Sequence, residues 1–224
     1  MIQTIEASPD EIYDIELEHS LLEANAKLAK ENRFLLDRYS VTAFDVMGAI
    51  GSGKTTLIGR LVGSLKDRFG VAVLNGDATT STDADAIAGQ NVPVVQIATI
   101  NGCHLDANLV GKALRKIDLT QLKLIFIENI GNLICPAEFP LGSKARFVVV
   151  SVTEGQYMVR KHPHMFLGAD LVVINKVDLA AAMEVSVDDL IADVHKLKPD
   201  IEVVPTSCKN GLGLDKLTKS LLAV

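Results

Sequence analysis

Apolar residues follow two rhythms along this chain. From residue 41 onward they gather in short runs, at 41–47, 71–74, 92–97, 122–127, 146–152, 171–174 and 201–204. The runs are rich in Val and Ile and do not alternate with polar residues, as strands covered on both faces do. Helical patterns lie between them near 55–69, 105–116, 186–197 and 213–222. Gly70 reads as the C-cap of the first of these, and Ser186 with Asp189 as the cap of the third. Strands alternating with helices predict an α/β domain with a mostly parallel sheet flanked by helices.

Residues 1–40 carry the other rhythm. Ser8-Pro9-Asp10-Glu11 is a helix start, with Ser at the N-cap, Pro in the first helical position and Glu at the capping-box position. A long charged helical pattern follows to about Tyr39, with Leu17, Leu21, Ala24, Leu28 and Leu35 near one face. The chain therefore divides into a helical extension, 1–40, and an α/β domain, 41–224. The extension is expected to pack on the domain as a solvated helix, with a docking arm for a partner as the other reading.

Composition narrows the picture. With 224 residues, 48% of them hydrophobic and 22% charged, the chain is globular and long enough for a real core. The net charge of −6 argues against a nucleic-acid partner. Nine acids against four bases place −5 of that charge in residues 1–40. No apolar run reaches the roughly 18 residues of a membrane span. The acidic N-terminus has no apolar core of a signal peptide, and three cysteines make no disulfide scaffold, so a cytoplasmic location is expected.

Gly48-Ala49-Ile50-Gly51-Ser52-Gly53-Lys54-Thr55 fits the phosphate-loop pattern and sits between a strand and a helix. Its glycines let backbone N–H groups close around phosphate oxygens, and the helix start adds positive potential. Lys54 is placed to reach the β- and γ-phosphates, Thr55 to hold Mg²⁺, and Thr56 to continue the site. Asp77 and Glu128 stand at the carboxyl ends of strands, where open α/β sheets bind ligands, and are candidates to complete the metal site. Asp83 and Asp85 are weaker candidates in a switch loop.

Asn175-Lys176-Val177-Asp178 follows the sixth run as an N-K-x-D element. A carboxylate at Asp178 pairs with the two N–H donors of guanine and is left unpaired by adenine. Ser207-Cys208-Lys209, after the last run, resembles the S-A-K loop that meets guanine O6. The three elements together point to a P-loop NTPase that uses GTP. Ordinary switch GTPases carry D-x-x-G and a water-orienting glutamine. Here the stretch is Glu128-Asn129-Ile130-Gly131-Asn132, with Asn132 in the glutamine place and no arginine finger in evidence, so slow intrinsic turnover is expected.

Two further segments contain soft or borderline metal ligands: Asn101-Gly102-Cys103-His104-Leu105-Asp106-Ala107 and Gly131-Asn132-Leu133-Ile134-Cys135-Pro136-Ala137. Spacing alone favours small buried cysteines over a metal site. These segments, with the phosphate loop, E-N-x-G-N and N-K-x-D, resemble the HypB family of hydrogenase nickel-incorporation GTPases over about residues 20–224. The resemblance implies a GTPase of the SIMIBI class that dimerises on GTP and helps deliver Ni²⁺ to [NiFe]-hydrogenase. It further implies Cys103, His104 and Cys135 as Ni²⁺ or Zn²⁺ ligands shared across the dimer. A second nickel accessory protein and the hydrogenase large-subunit precursor are the implied partners. Asp106 is either a partner of a ligand or a helix-start acid, and Lys161 is a candidate to reach nucleotide across the dimer. Some members carry an N-terminal cysteine cluster or a histidine-rich tract, and this chain has neither before residue 41. His162 and His164 read as loop residues, and Cys208 as a base-loop residue.

Three rival readings fit parts of the same sequence. A urease-type GTPase prefers a C-P-H motif, whereas Cys103 and His104 are adjacent. A GTPase chaperone of a cobalamin enzyme has no need of the cysteines. A nucleotide-sensing scaffold would use Zn²⁺ only to clamp a dimer.

Overall fold

A computed structural model describes residues 9–76, 87, 89–98 and 104–224, with side chains from residue 20 onward in the first helix. Seven strands form one parallel sheet: β1 (Thr42–Met47), β2 (Val71–Asn75), β3 (Val94–Gln96), β4 (Leu124–Glu128), β5 (Ala145–Ser151), β6 (Leu171–Asn175) and β7 (Glu202–Pro205). Their order across the sheet is β3-β2-β4-β1-β5-β6-β7, with every pair parallel. The helices are α1 (Pro9–Arg38), α2 (Lys54–Leu65), α3 (Ala107–Leu114), α4 (Met158–Lys161), α5 (Pro163–Leu167), α6 (Val187–Leu197) and α7 (Leu214–Leu222). No helix among the described residues is long and apolar enough to cross a membrane.

The unbroken apolar runs are explained by cover on both faces. Phe44, Phe126 and Phe147 point to one face, where they meet Leu57, Leu61 and Leu65 of α2 and Leu217 and Leu221 of α7. Phe44 lies 5.5 Å from Phe126 and 5.1 Å from Phe147, ring centre to ring centre. The opposite face is shared. α1 and α3 cover Ala43, Ile125 and Leu74, while α4, α5 and α6 cover Val148 and Val172.

Four local expectations change. β3 is shorter than 92–97 and begins at Val94, since Pro93 just before it has no N–H to give the ladder. α2 ends at Leu65, so Gly70 is no cap. It lies where the chain passes the carbonyl of Gln121 with no space for a Cβ. Two short helices, α4 and α5, occupy the stretch expected as loop, and Pro163 opens α5. The buried seam of α1 is also rotated from the predicted leucine stripe. It runs through Asn25, Ala29, Asn32 and Leu36, while Leu21 is exposed. Leu17 and the expected cap Ser8 lie outside the residues whose side chains are described. Ser186 caps α6 as expected, accepting from the Asp189 N–H.

Candidate functional site

The phosphate loop joins β1 to α2, and its residues are held by neighbouring motifs. Lys54 is buried, and its Nζ donates to the carbonyls of Gly48 (3.2 Å) and Ala49 (3.0 Å). Thr55 Oγ1 donates to Glu128 Oε1 at 2.5 Å. Glu128 is fully buried at the end of β4, beside Val46 of β1. The Gly76 N–H donates to the Glu128 carbonyl at 2.8 Å. Asp77 comes next in the chain and lies outside the described residues, as do Asp83 and Asp85. A serine or threonine hydroxyl against a buried carboxylate is a set of hard oxygen donors, and it fits Mg²⁺.

The base elements close on the same loop. Asn175 donates to the Ser52 carbonyl at 3.0 Å, and Lys176 Nζ to the Gly51 carbonyl at 2.6 Å. This approach needs Gly53, which sits at φ 93° at the start of α2 and would drive any Cβ into the Asn175 amide. Ser207 donates to Asp178 at 2.5 Å, and the Cys208 thiol to Asn175 Oδ1 at 3.5 Å. Burial pushes the Cys208 thiol up, as suits a packing residue of the base loop. A cavity of about 430 Å³ opens here, lined by Gly53, Arg60, Lys176, Asp178, Leu179 and Lys209 among others.

Arg60 and Leu179 escaped the motif reading. Arg60 follows Thr56 by one helical turn, so the period of α2 carries its signal. Glu154 escaped as well. It closes a capping box with Ser151 just beyond β5. Burial raises its carboxyl, while Lys54 and Lys176 pull it back.

The loop after Glu128 lies over the phosphate loop. Asn132 bridges Gly48 backbone to backbone, and Gly131 packs against Ile50 so closely that a Cβ would collide. Asn129 is fully buried and reaches three ways. Its Nδ2 donates to Asp45 (3.0 Å), and its Oδ1 accepts from the N–H groups of Leu105 (3.1 Å) and Ile130 (3.0 Å). Asp45 and Arg146 are register partners on the sheet face between its two groups of helices, with Nε and Oδ2 3.7 Å apart. Arg146 also donates to the Ala137 carbonyl at 2.9 Å. Asp45 is pushed up to about 6, first by burial, with Arg146 and Asn129 opposing. The sequence hid it inside an apolar run.

The candidate metal ligands are placed unevenly. Cys135 is half-buried in a short 3-10 turn, Cys135–Ala137. The His104 ring stacks on Phe139 at 3.8 Å and 25°. Burial lowers the His104 pKa against the pull of Asp106 and Glu138. Asp106 is the N-cap of α3, accepting from the Leu109 N–H at 2.8 Å. Cys103 lies outside the described residues. Among the described residues, no three His, Cys, Asp or Glu side chains form a metal cluster. His162 and Lys161 lie at the junction of α4 and α5, and His164 lies within α5.

A parallel sheet with a glycine-rich loop between β1 and α2, an acid closing β4 and an Asn-Lys-x-Asp turn after β6 defines a P-loop nucleotide-binding protein. The chain belongs to the CobW/HypB/UreG family, whose nucleotide-binding domain matches residues 42–205, and within it to the HypB hydrogenase maturation factors. It is 46% identical over 91% of its length to the probable hydrogenase maturation factor HypB of Methanocaldococcus jannaschii, covering 92% of that protein. It is 42% identical over 89% of its length to the hydrogenase maturation factor HypB of Azotobacter vinelandii, of which it spans 66%. The crystal structure of HypB from Helicobacter pylori in complex with nickel superposes with a TM-score of 0.84, at 33% identity, over 89% of this chain and 94% of that one.

Proposed function

We propose that this chain hydrolyses GTP to control the binding and release of nickel, as a homodimeric metallochaperone for [NiFe]-hydrogenase. The observation that carries the reading is one continuous loop. It begins at Glu128, which holds Thr55, crosses the phosphate loop at Gly131 and Asn132, and ends at Cys135. A loop with one end at the phosphates and the other at a thiol can convert γ-phosphate contact into ligand position. The H. pylori relative, solved in complex with nickel, gives the cargo its chemistry.

In this mechanism Lys54 and the glycine-rich backbone hold the phosphates, and Asp178 reads guanine. Thr55 and Glu128 would hold Mg²⁺, with Asp77 as a further candidate ligand. When bound, the ion would supply charge neutralisation at the phosphates during transfer. Asn132 stands in the water-orienting position, but its Oδ1 accepts the Ile134 N–H at 2.9 Å. Intrinsic turnover is therefore slow, below about 1 per second. Cys103, His104 and Cys135 take Ni²⁺, and the same set accepts Zn²⁺. Ile50 in the phosphate loop and Ile134 in the loop that crosses it are 78% and 65% exposed, apolar side chains suited to contact with a second copy. A second nickel accessory protein and the hydrogenase large-subunit precursor are the proposed partners.

Deletion with nickel rescue tests the reading. Cells lacking the protein should lose hydrogenase activity, and excess Ni²⁺ should restore it. The Cys135→Ala protein should fail to restore activity at low nickel. A loss that excess nickel leaves untouched contradicts the nickel role.

A further inference from the structure

The inner face of α1 is the least expected feature of the molecule. Asn25 and Asn32 are each 5% exposed, in positions where packing alone would favour apolar residues. Buried amides are costly unless they are bonded, and both of these bond to backbone groups of other segments. Asn25 Oδ1 accepts the Ala107 N–H at 2.8 Å, and its Nδ2 donates to the Pro140 carbonyl at 2.9 Å. Asn32 Nδ2 donates to the carbonyls of Ala107 (2.7 Å) and Leu141 (3.1 Å). Each side chain therefore ties the start of α3 to the 140–141 segment, and Ala107 is gripped through both of its backbone polar groups.

Those two segments are the ones that hold the candidate ligands. Ala107 is three residues after His104, and Pro140 is five after Cys135. Between them the His104 ring rests on Phe139. The seam leaves no slack. At Gly142, φ 93°, a Cβ would lie 2.5 Å from the Ala29 carbonyl oxygen and 2.8 Å from Asn32 Cβ. At Gly111 of α3 it would lie 2.6 Å from Asn32 Oδ1. α1 is thus a wedge across both segments, tied to their backbones through its side-chain amides.

We propose that α1 sets the separation of the two metal-ligand segments, with Asn25 and Asn32 as positioning residues for the nickel cargo. This rests on the nickel reading given above and adds a part of the chain that the ligand motifs do not include. Metal–ligand distances tolerate errors of only about 0.2 Å, and three to five residues of chain pass a backbone shift on to the ligand atoms. Groups that orient metal ligands typically govern affinity by 10- to 100-fold.

The test uses the full chain and Ni²⁺ alone as probe. Affinity is read by competition with a chelator, and the site by its thiolate-to-nickel charge-transfer absorption. Asn32→Ala removes both donors to Ala107 and Leu141. Asn25→Asp keeps an acceptor for the Ala107 N–H but cannot donate to Pro140, so it is the milder variant should the first fail to fold. Each variant should bind Ni²⁺ ~10-fold more weakly, with an altered charge-transfer band. GTP kcat and KM should not change, and the helix signal in circular dichroism should persist at the assay temperature. Binding lost in Cys135→Ala but unchanged, in affinity and spectrum, in both asparagine variants overturns the positioning role alone. Nickel binding that survives Cys135→Ala overturns the cargo reading, and the positioning role with it.

Discussion

The nucleotide side and the metal side of this molecule are held in opposite ways. On the nucleotide side, motif residues bond directly to one another: Thr55 to Glu128, Asn175 to Ser52, Lys176 to Gly51 and Ser207 to Asp178. On the metal side, the described contacts of the ligand segments run mostly through residues outside the nucleotide motifs, with Asn129 and Asn132 of E-N-x-G-N as the exceptions. Phe139 carries His104, Asn129 and the α1 amides hold the backbone beyond it, and Arg146 holds the turn of Cys135. A closed network of motifs is a built cradle. Ligands hung on separate segments can be moved, and Asn129 touches both worlds by joining the end of β4 to Leu105. The difference teaches where the proposed coupling would pass: through the residues after Glu128, which contact both sides, and the buried pair Asp45 and Arg146 bonded to them.

The comparison breaks most visibly at Lys54. Lys54→Ala removes the phosphate loop's own buried cation, and GTP turnover should fall by about 10²- to 10³-fold in a phosphate-release assay. Ni²⁺ affinity measured without nucleotide should stay at the wild-type value. Joint loss would show that the two sides do not stand independently.

Asp45 probes the seam between them. Burial lifts its pKa from 3.8 to about 6, so the native state holds a proton that the unfolded chain releases between those values. Its contribution to stability is full below about pH 4 and is lost as pH rises through 6, about 3 kcal/mol in all at roughly 1.4 kcal/mol per unit. Asp45→Asn removes this titration. In urea melts from pH 4 to pH 7 the variant should gain on the wild type by up to that amount as pH rises. A constant difference would mean that Arg146 outweighs burial and keeps Asp45 ionised throughout.

The same contrast explains what could be read from the amino-acid order. Strands, the phosphate loop, N-K-x-D and the Ser207 loop are local patterns, and each stands near where its pattern placed it, with β3 shortened at Pro93. The seam of α1 was invisible because hydrophobic periodicity counts leucines, whereas the buried positions are Asn25, Ala29 and Asn32. Their value lies in backbone groups more than 70 residues away, which no local pattern records. Asp45 was hidden for a related reason, since its partner Arg146 becomes a neighbour only when β1 pairs with β5. α4 and α5, four and five residues long, are too short for a helical period to register. Gly70 showed its type but not its purpose, which is contact with Gln121 rather than capping.

The central claim is that the nucleotide's γ-phosphate and the nickel ligands act on one loop. The direct measurement is a titration of Ni²⁺ into the full chain, once with GDP and once with a non-hydrolysable GTP analogue, both with Mg²⁺ present. Coupling through Glu128, Gly131 and Cys135 predicts affinities that differ by at least ~5-fold between the two states, with the reciprocal shift in nucleotide affinity. Equal nickel affinity and stoichiometry with both nucleotides would contradict it.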